Sequence, residues 1–451
     1  MKITGLIFGT SGTLTKDMLK KNHLEKDKNN FAAVPELSSE IKNKIKNIFL
    51  KSLPPGTEQM LVQIKNEYQI LDLPESDVYV VFPFQISYDR WLQCLYSYNK
   101  PVVISPLPFS EVFSYGNVYY PYFVKFSREL DNLLKLPHKV YLSKDENDLK
   151  LILKSLYVKN KINNTSVLCI GEPMYEPFHS PDWGYSVVRA VQEKFGLKWK
   201  YMSSEKFLKY WRNWKGKIDI NDIKSARKIY FSEKKKLYEA VKMYLILKSL
   251  IEKKKANAFT INCLASIILP KLEITPCYAL SKLNDEGIPS ACEADTTTLL
   301  DMLITVYSSD SPGFMANPYL FPSDNRILLS HCTSPTLHSY KKKRKDEFDL
   351  YNYFDASTKL GIGLQVFKSP EAVTITGISE DSLDKMLIIK GEIERNTYFS
   401  TCRTQVEIKV DKEVKEIAKS YQGRHWILVY GDHREIIKKV NEALGIESIV
   451  Y

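Results

Sequence analysis

The chain has 451 residues, 44% hydrophobic and 26% charged, with 64 lysines and arginines against 53 acids for a net charge of +11. This is the composition of an ordinary globular protein, and its length calls for two or three hydrophobic cores rather than one. No apolar run approaches the roughly 20 residues that a bilayer crossing needs, so a helical membrane protein is excluded.

The chain opens on an apolar strand, KITGLIF, followed by a Gly/Ser/Thr turn, GTSGT at 9–13. There is no h-region with a cleavage site, so a cytoplasmic location is expected. GTSGT matches neither a P-loop nor a dinucleotide fingerprint and reads as a strand-end loop. DVYVVFPF (77–84) and KPVVISPLPF (100–109) are β-branched runs bounded by proline, and the residues between them carry helical periodicity. That strand–helix–strand order predicts a parallel sheet.

A second unit begins at TSVLCIGEP (165–173), a buried strand, followed by a helix over DWGYSVVRAVQEKFGL that ends at Gly196. Residues 219–256 and the segments INCLASIILPKL, CYALSKLNDEG and TTTLLDMLITVYSS read as mostly helical, with a short strand at IPSACEAD. Composition shifts at SYKKKRKDEFDLYNY (339–353). Beyond it LGIGLQVF, AVTITGIS, DKMLIIKGEI, STCRTQVEIKV and RHWILVYGD alternate as short strands, which predicts an antiparallel sheet or barrel. REIIKKVNEALG supplies a closing helix, with a terminal strand after it. The expected architecture is α/β: two Rossmann-like parallel-sheet domains, 1–164 and 165–338, and a mainly antiparallel β domain, 339–451.

The lysines fall in scattered clusters beside acids or apolar residues at helical spacing, which predicts solvated faces and no nucleic-acid or membrane partner. The seven cysteines, at 94, 169, 263, 277, 292, 332 and 402, form no CxxC pair. They read as reduced thiols, with Cys169, Cys263 and Cys292 as small core residues.

Four polar clusters could carry chemistry. CEAD places Glu293 and Asp295 where an apolar run meets a Thr-led helix, and a buried carboxylate there must be paired, capping or bound to a cation. The strand RILLS delivers His331 to a turn; GRHWILVYGDH opens a strand with His425 and closes it near His433; TCRTQVEI sets Arg403 and Gln405 two residues apart on one strand face. Each has an ordinary structural alternative: Asp295 as a helix N-cap, His331 bonded to backbone, His425 at a surface, Arg403 and Gln405 in cross-strand pairs. Together, a carboxylate and two imidazoles at strand ends could hold a divalent ion such as Mn²⁺. Separations of 38 residues from Glu293 to His331 and 94 from His331 to His425 leave spacing silent on the point.

The segment GIPSACEADTTTLL resembles the acid-containing strand end of the L-arabinose and L-fucose isomerases, and FMAN followed by LLSHCTSP is similar to the arabinose isomerase pattern. GRHWILVYGDH resembles the segment carrying those enzymes' last histidine. CEAD, HCT, CRTQ and YGD together resemble the broader fucose isomerase-like group, as do YFDASTKLGIGLQ and LDKMLIIKGEI, over roughly 165–451. The resemblance implies an aldose–ketose isomerase working through a cis-enediol, with Glu293 and Asp295 catalytic and Glu293, His331 and His425 holding Mn²⁺ or a similar ion. A sugar read by Asn317, Arg403 and Gln405 is the expected partner, and a homo-oligomer, trimer or hexamer, with its site at a subunit boundary is the expected assembly. One departure stands out: Ala316 occupies the position where arabinose isomerases carry a glutamate directly after Phe-Met, and it is read as a subfamily trait.

Overall fold

The computed structural model describes residues 1–8, 39–65, 68–83, 94–95, 97–105, 140–173, 181–263, 272–353 and 361–451. The GTSGT loop, most of the helical stretch expected between 84 and 99, and most of INCLASIILPKL lie outside the described residues. The chain divides into two compact units, Met1–Tyr157 and Val158–Tyr451. No helix among the described residues is long and apolar enough to cross a membrane.

In the first unit, β1 (Lys2–Phe8), β2 (Glu58–Ile64), β3 (Val78–Pro83), β4 (Val102–Ile104) and β5 (Val140–Leu142) form one parallel sheet in the order β2-β1-β3-β4-β5. The central strands β1 and β3 are buried almost throughout. A parallel sheet covered on both faces requires this, which is why these strands are continuous apolar runs. The helix α1 (Ser39–Ser52) packs Phe49 edge-on against Phe82, with ring centroids 6.2 Å apart. A short turn of helix, α2 (Tyr68–Leu71), buries Ile70 in the same unit.

Helix α3 (Glu146–Asn163) runs across the division and leads into the second unit. There β6 (Ser166–Ile170), β7 (Lys198–Met202), β9 (Ala258–Ile261) and β10 (Ser290–Ala291) make a second parallel sheet, ordered β10-β9-β6-β7. Its connections carry α4 (Pro181–Phe195), α5 (Ser204–Asn213), α6 (Lys234–Lys253) and α7 (Cys277–Asp285). Strand β8 (Lys228–Ile229) leaves this layer to join β13 (Phe348–Tyr351) and β14 (Gly363–Val366) in a small side sheet.

Six antiparallel strands then close on themselves: β11 (Phe314–Phe321), β12 (Arg326–Ser330), β15 (Ala372–Ile378), β16 (Lys385–Asn396), β17 (Gln405–Val410) and β18 (Trp426–Tyr430). Their order is β15-β18-β11-β12-β17-β16, and β16 pairs back to β15. Closure leaves no free edge on the ring. Alternate residues such as Phe314, Ala316, Ile327, Leu329, Ile375, Ile408, Trp426 and Leu428 fill the interior. Helix α9 (Val414–Lys419) adds Val414 and Ile417 to that core. Helix α10 (Arg434–Leu444) and β19 (Glu447–Val450), which pairs with β16, complete the chain.

The barrel draws strands from both sides of the position 338/339. β11 and β12 precede that position yet supply two of its six strands. The lysines at 341–343 and 345 and Arg344 are exposed to solvent, which accounts for the shift in composition there.

Helix α8 (Thr296–Ser309) links the layers of the second unit. It is buried along nearly its whole length and packs on β15 and β18 of the barrel and on α4 and α10. Its one buried acid, Asp301, accepts hydrogen bonds on Oδ1 from Thr376 at 2.6 Å and Thr305 at 3.1 Å, while Oδ2 has no partner. Burial pushes this carboxyl up to about 7 from 3.8. The folded chain therefore holds a proton that the unfolded chain releases near 3.8, so Asp301 lowers stability as pH rises from about 4 to about 7. Replacing it as Asp301→Asn should remove that slope. Against the parent, the variant should gain about 1.4 kcal/mol of unfolding free energy per pH unit across the window, measured by urea titrations at several pH values.

A second prediction concerns packing near His425. A Cβ at Gly377 on β15 would lie 2.5 Å from the Gln422 carbonyl and 2.6 Å from the Trp426 ring, whose Nε1 donates to that same carbonyl. Gly377→Ala should cost about 1–3 kcal/mol by overpacking, read as a lower denaturation midpoint with an unchanged m-value.

Candidate metal centre and active site

Strand β10 ends after Ala291, and the chain turns through Cys292, Glu293 and Ala294 before α8 begins. Glu293 and Ala294 have φ of 62° and 52°. Two successive non-glycine residues in the left-handed region are costly and persist only where the surroundings hold them. Here the Ala294 amide donates to Ile261 O at 2.9 Å, the Asp295 amide to Cys292 O at 3.2 Å, and the Cys292 amide to Met315 Sδ at 3.3 Å. The turn delivers the Glu293 side chain to a small cavity.

The barrel delivers the histidines. Ser330 on β12 pairs with Asn317, and Trp426 on β18 pairs with Ala316, so His331 and His425 emerge level with each other on either side of β11. Their rings lie at 84° with centroids 5.5 Å apart. His331 Nε2 is 3.7 Å from Glu293 Oε1, and His425 Nε2 is 3.8 Å from Glu293 Oε2. One ligand atom from each of the three residues lies within 4.8 Å of the other two. Both imidazoles are buried, and the Glu293 side chain keeps 31% exposure. The structure thus brings together the three residues expected to hold an ion.

The opposite ring nitrogens are held from behind. His425 Nδ1 is 2.8 Å from Asp295 Oδ2, and His331 Nδ1 is 3.1 Å from Thr333 Oγ1. Asp295 is saturated: Oδ1 accepts from the Thr298 amide and the Thr297 hydroxyl, both at 2.9 Å, and Oδ2 accepts from the Thr298 hydroxyl at 2.7 Å and from His425. It is the N-cap of α8 and the ring-orienting acid for His425 at once. Thr333, Thr297 and Thr298 escape the sequence reading. The signal for them was adjacency to HCT and CEAD, since hydroxyls two or three residues from a ligand or cap are well placed to bond it.

The charges follow this geometry. Burial raises the Glu293 and Asp295 carboxyls, but the imidazole partners more than offset it and hold both below the usual carboxylate range, Asp295 far below. Burial lowers His331, yet the Glu293 carboxylate prevails and leaves it above the ordinary imidazole value.

The remaining expected residues are placed differently. Gln405 is fully buried and spends its amide on the 399–402 loop, accepting from the Phe399 amide at 2.6 Å and donating to Phe399 O at 2.8 Å and Cys402 O at 3.0 Å. Arg403 precedes β17 rather than sharing a strand face with Gln405; it donates to Phe399 O at 2.9 Å and lies over the Tyr351 ring. Asn317 lies on β11, half-buried, beside the level from which the histidines emerge. Ala316 packs in the barrel core with Phe314 and Trp426 and supplies no donor. His433 bonds its own strand end, Nε2 to Tyr430 O at 2.9 Å.

The donor set suits a divalent cation. It offers one carboxylate and two imidazoles, each imidazole oriented by an outer acceptor, which is how metal-binding histidines are usually held. His425 Nε2 is buried with no hydrogen-bond partner, and such an orphan costs about 1–3 kcal/mol unless something satisfies it. The cavity here, about 10 Å³, is lined by Glu293, His331, Tyr353, Thr275 and five cysteines, Cys263, Cys277, Cys292, Cys332 and Cys402. That is room for about one water-sized group. Five of the seven cysteines, which the sequence spreads widely, therefore converge.

No family model matches the chain. Among curated proteins it is similar to the sulfoquinovose isomerase of Clostridium sp. (strain MSTE9), 25% identical over 182 residues that make up 39% of this chain and 40% of that protein. It is also similar to the sulfoquinovose isomerase of Priestia aryabhattai, 20% identical over 218 residues, 46% of each chain. The chain thus spans less than half the length of the curated relatives it matches. Those relatives are sugar isomerases by name, and at that level the similarity agrees with the expectation drawn from CEAD, HCT and GRHW.

Proposed function

We propose that this protein is a metal-dependent aldose–ketose isomerase acting on a pentose, 6-deoxyhexose or related sugar through a cis-enediol. The observation that carries this reading is the meeting of Glu293, His331 and His425 around the orphaned His425 Nε2. Glu293, His331 and His425 would hold the ion, taken here as Mn²⁺, which supplies Lewis acidity toward the sugar carbonyl and its neighbouring hydroxyl. The relatives' name adds sulfoquinovose to the candidate substrates.

The reaction moves one proton between adjacent carbons, so it needs a base beside them that can give the proton back. Glu293 is the one acid of the centre with an exposed edge, and it is assigned that role. Asp295 is reassigned from catalysis to positioning: its acceptor sites are taken by Thr297, Thr298 and His425, so it orients the His425 ring without touching substrate. Asn317 is kept as a hydroxyl-reading residue, while Gln405 and Arg403 shape the 399–402 loop. A trimer or hexamer with the site at a subunit boundary belongs to the same proposal and is checked by light scattering. A non-catalytic sugar-binding protein is the second reading, favoured by Ala316, which leaves the centre one carboxylate short of the arabinose isomerase pattern.

The decisive experiment incubates the Mn²⁺-loaded protein with a panel of pentoses, 6-deoxyhexoses and sulfoquinovose in D₂O and follows them by NMR. Deuterium arriving on the carbon next to the carbonyl supports the isomerase; ion and sugar binding without exchange would leave only the binding protein. Glu293→Gln should cut turnover by about 10³-fold or more with folding intact, and a fully active variant would refute the assignment. Asp295→Asn keeps a good N-cap but removes the charge behind His425. It should weaken Mn²⁺ binding about 10–100-fold, by calorimetry, and lower the unfolding midpoint at neutral pH, because the partners that hold the Asp295 carboxyl far below its usual range make the charged form stabilising. Because His331 must be neutral to bind an ion and Glu293 raises its proton affinity, Mn²⁺ affinity should fall on acidification through neutral pH.

A further inference from the structure

Five cysteines line the cavity, and two of them are in direct contact. Cys277 Sγ and Cys332 Sγ are 3.0 Å apart, both buried, and Cys402 lines the same cavity. Cys402 is only partly buried. Cys263 and Cys292 form a separate, looser pair at 3.7 Å.

The arrangement selects between two kinds of sulfur chemistry. A tetrahedral ion held by thiolates at about 2.3 Å needs its sulfurs about 3.8 Å from one another, all mutually. Among the described residues the one three-donor cluster that could hold an ion is Glu293, His331 and His425, with no thiol in it. Close contact of two thiols suits pairwise bond formation. A disulfide bond of about 2.05 Å asks the Cys277 and Cys332 sulfurs to close by about 1 Å.

The two backbones are already held alongside each other. Down α7 from Cys277, Ser281 Oγ donates to Ser334 O at 2.7 Å. Asp285 then accepts from the Thr336 amide, the Thr336 hydroxyl and the Leu337 amide at 2.7–2.9 Å. Residues four apart on the helix meet residues two apart on the facing loop: 277 with 332, 281 with 334, 285 with 336. The thiols therefore face each other in a fixed register, and bridging them requires no rearrangement of either segment.

We propose that Cys277 and Cys332 are an oxidation site that closes as a disulfide, with Cys402 as the entry thiol that passes the oxidation inward. With a peroxide as oxidant, the Cys402 thiolate attacks one peroxide oxygen, the O–O bond breaks and water leaves, giving a sulfenic acid. The Cys332 thiolate displaces the hydroxyl as a second water and forms the 332–402 bond. Cys277 then attacks Cys332 sulfur and releases Cys402 as thiolate. Two thiols lose two electrons, and the peroxide becomes two waters.

The test treats the full-length reduced protein with hydrogen peroxide, blocks remaining thiols with N-ethylmaleimide and maps a non-reduced digest by mass spectrometry. The expected product is a peptide pair joined through Cys277 and Cys332 that dithiothreitol separates, with Cys402 alkylated. In Cys402→Ser the same bridge should form at least several-fold more slowly. Full alkylation of Cys277 and Cys332, their over-oxidation without a bridge, or a 332–402 disulfide as the end product would overturn the assignment. An undiminished rate in Cys402→Ser would overturn the relay.

Discussion

The contact between Asp295 and His425 is the constraint on which the centre depends. One carboxylate closes the first turn of α8 and fixes the tautomer and direction of a histidine that arrives 130 residues later in the chain. With Nδ1 of His425 committed to Asp295, the ring can present only Nε2 toward Glu293. That nitrogen is the buried atom left without a partner. The cap and the ligand are therefore set by the same group, and the folding of α8 and the orientation of the ring are coupled.

The closed barrel supplies the other half of the arrangement. Because β18, β11 and β12 are successive neighbours, residues just before β18 and just after β12 emerge at one level, and a small residue, Ala316, occupies the core at that level on β11. Glu293 comes to meet them from the parallel sheet, through a turn that places two non-glycine residues at positive φ. Backbone strain of this kind is retained where it aims a side chain. Helix α8, packed on the barrel strands β15 and β18, keeps the sheet and the barrel in register within this unit.

The surroundings of the centre are unusual in their sulfur content. Five of the seven cysteines line one cavity, beside a carboxylate and an imidazole that are themselves buried in part or whole. Packing alone makes little demand for thiols there, since alanine or serine would fit similar volumes. They meet in pairs, Cys277 with Cys332 and Cys263 with Cys292, and none belongs to the cluster of nitrogen and oxygen donors, which gives the two groups different chemistry in one small space.

Much of this was legible in the sequence, for local reasons. Alternating or continuous apolar runs marked the strands β3, β6, β15 and β18, and the TTTLLDML run after Asp295 marked α8 with its cap, because periodicity and capping depend on neighbours a few residues away. CEAD, HCT and GRHW named the three donors. Other features only the tertiary structure decided. Convergence across separations of 38 and 94 residues depends on strand order in a closed ring, and strand order leaves no mark on spacing; the same is true of β11 and β12 joining the barrel across the expected boundary. Gln405 looked like a substrate reader because a polar residue on a strand can face either solvent or a loop, and only the fold put the 399–402 loop against it. The cysteines carried no motif because their meeting is produced by packing between distant segments, which no local pattern encodes.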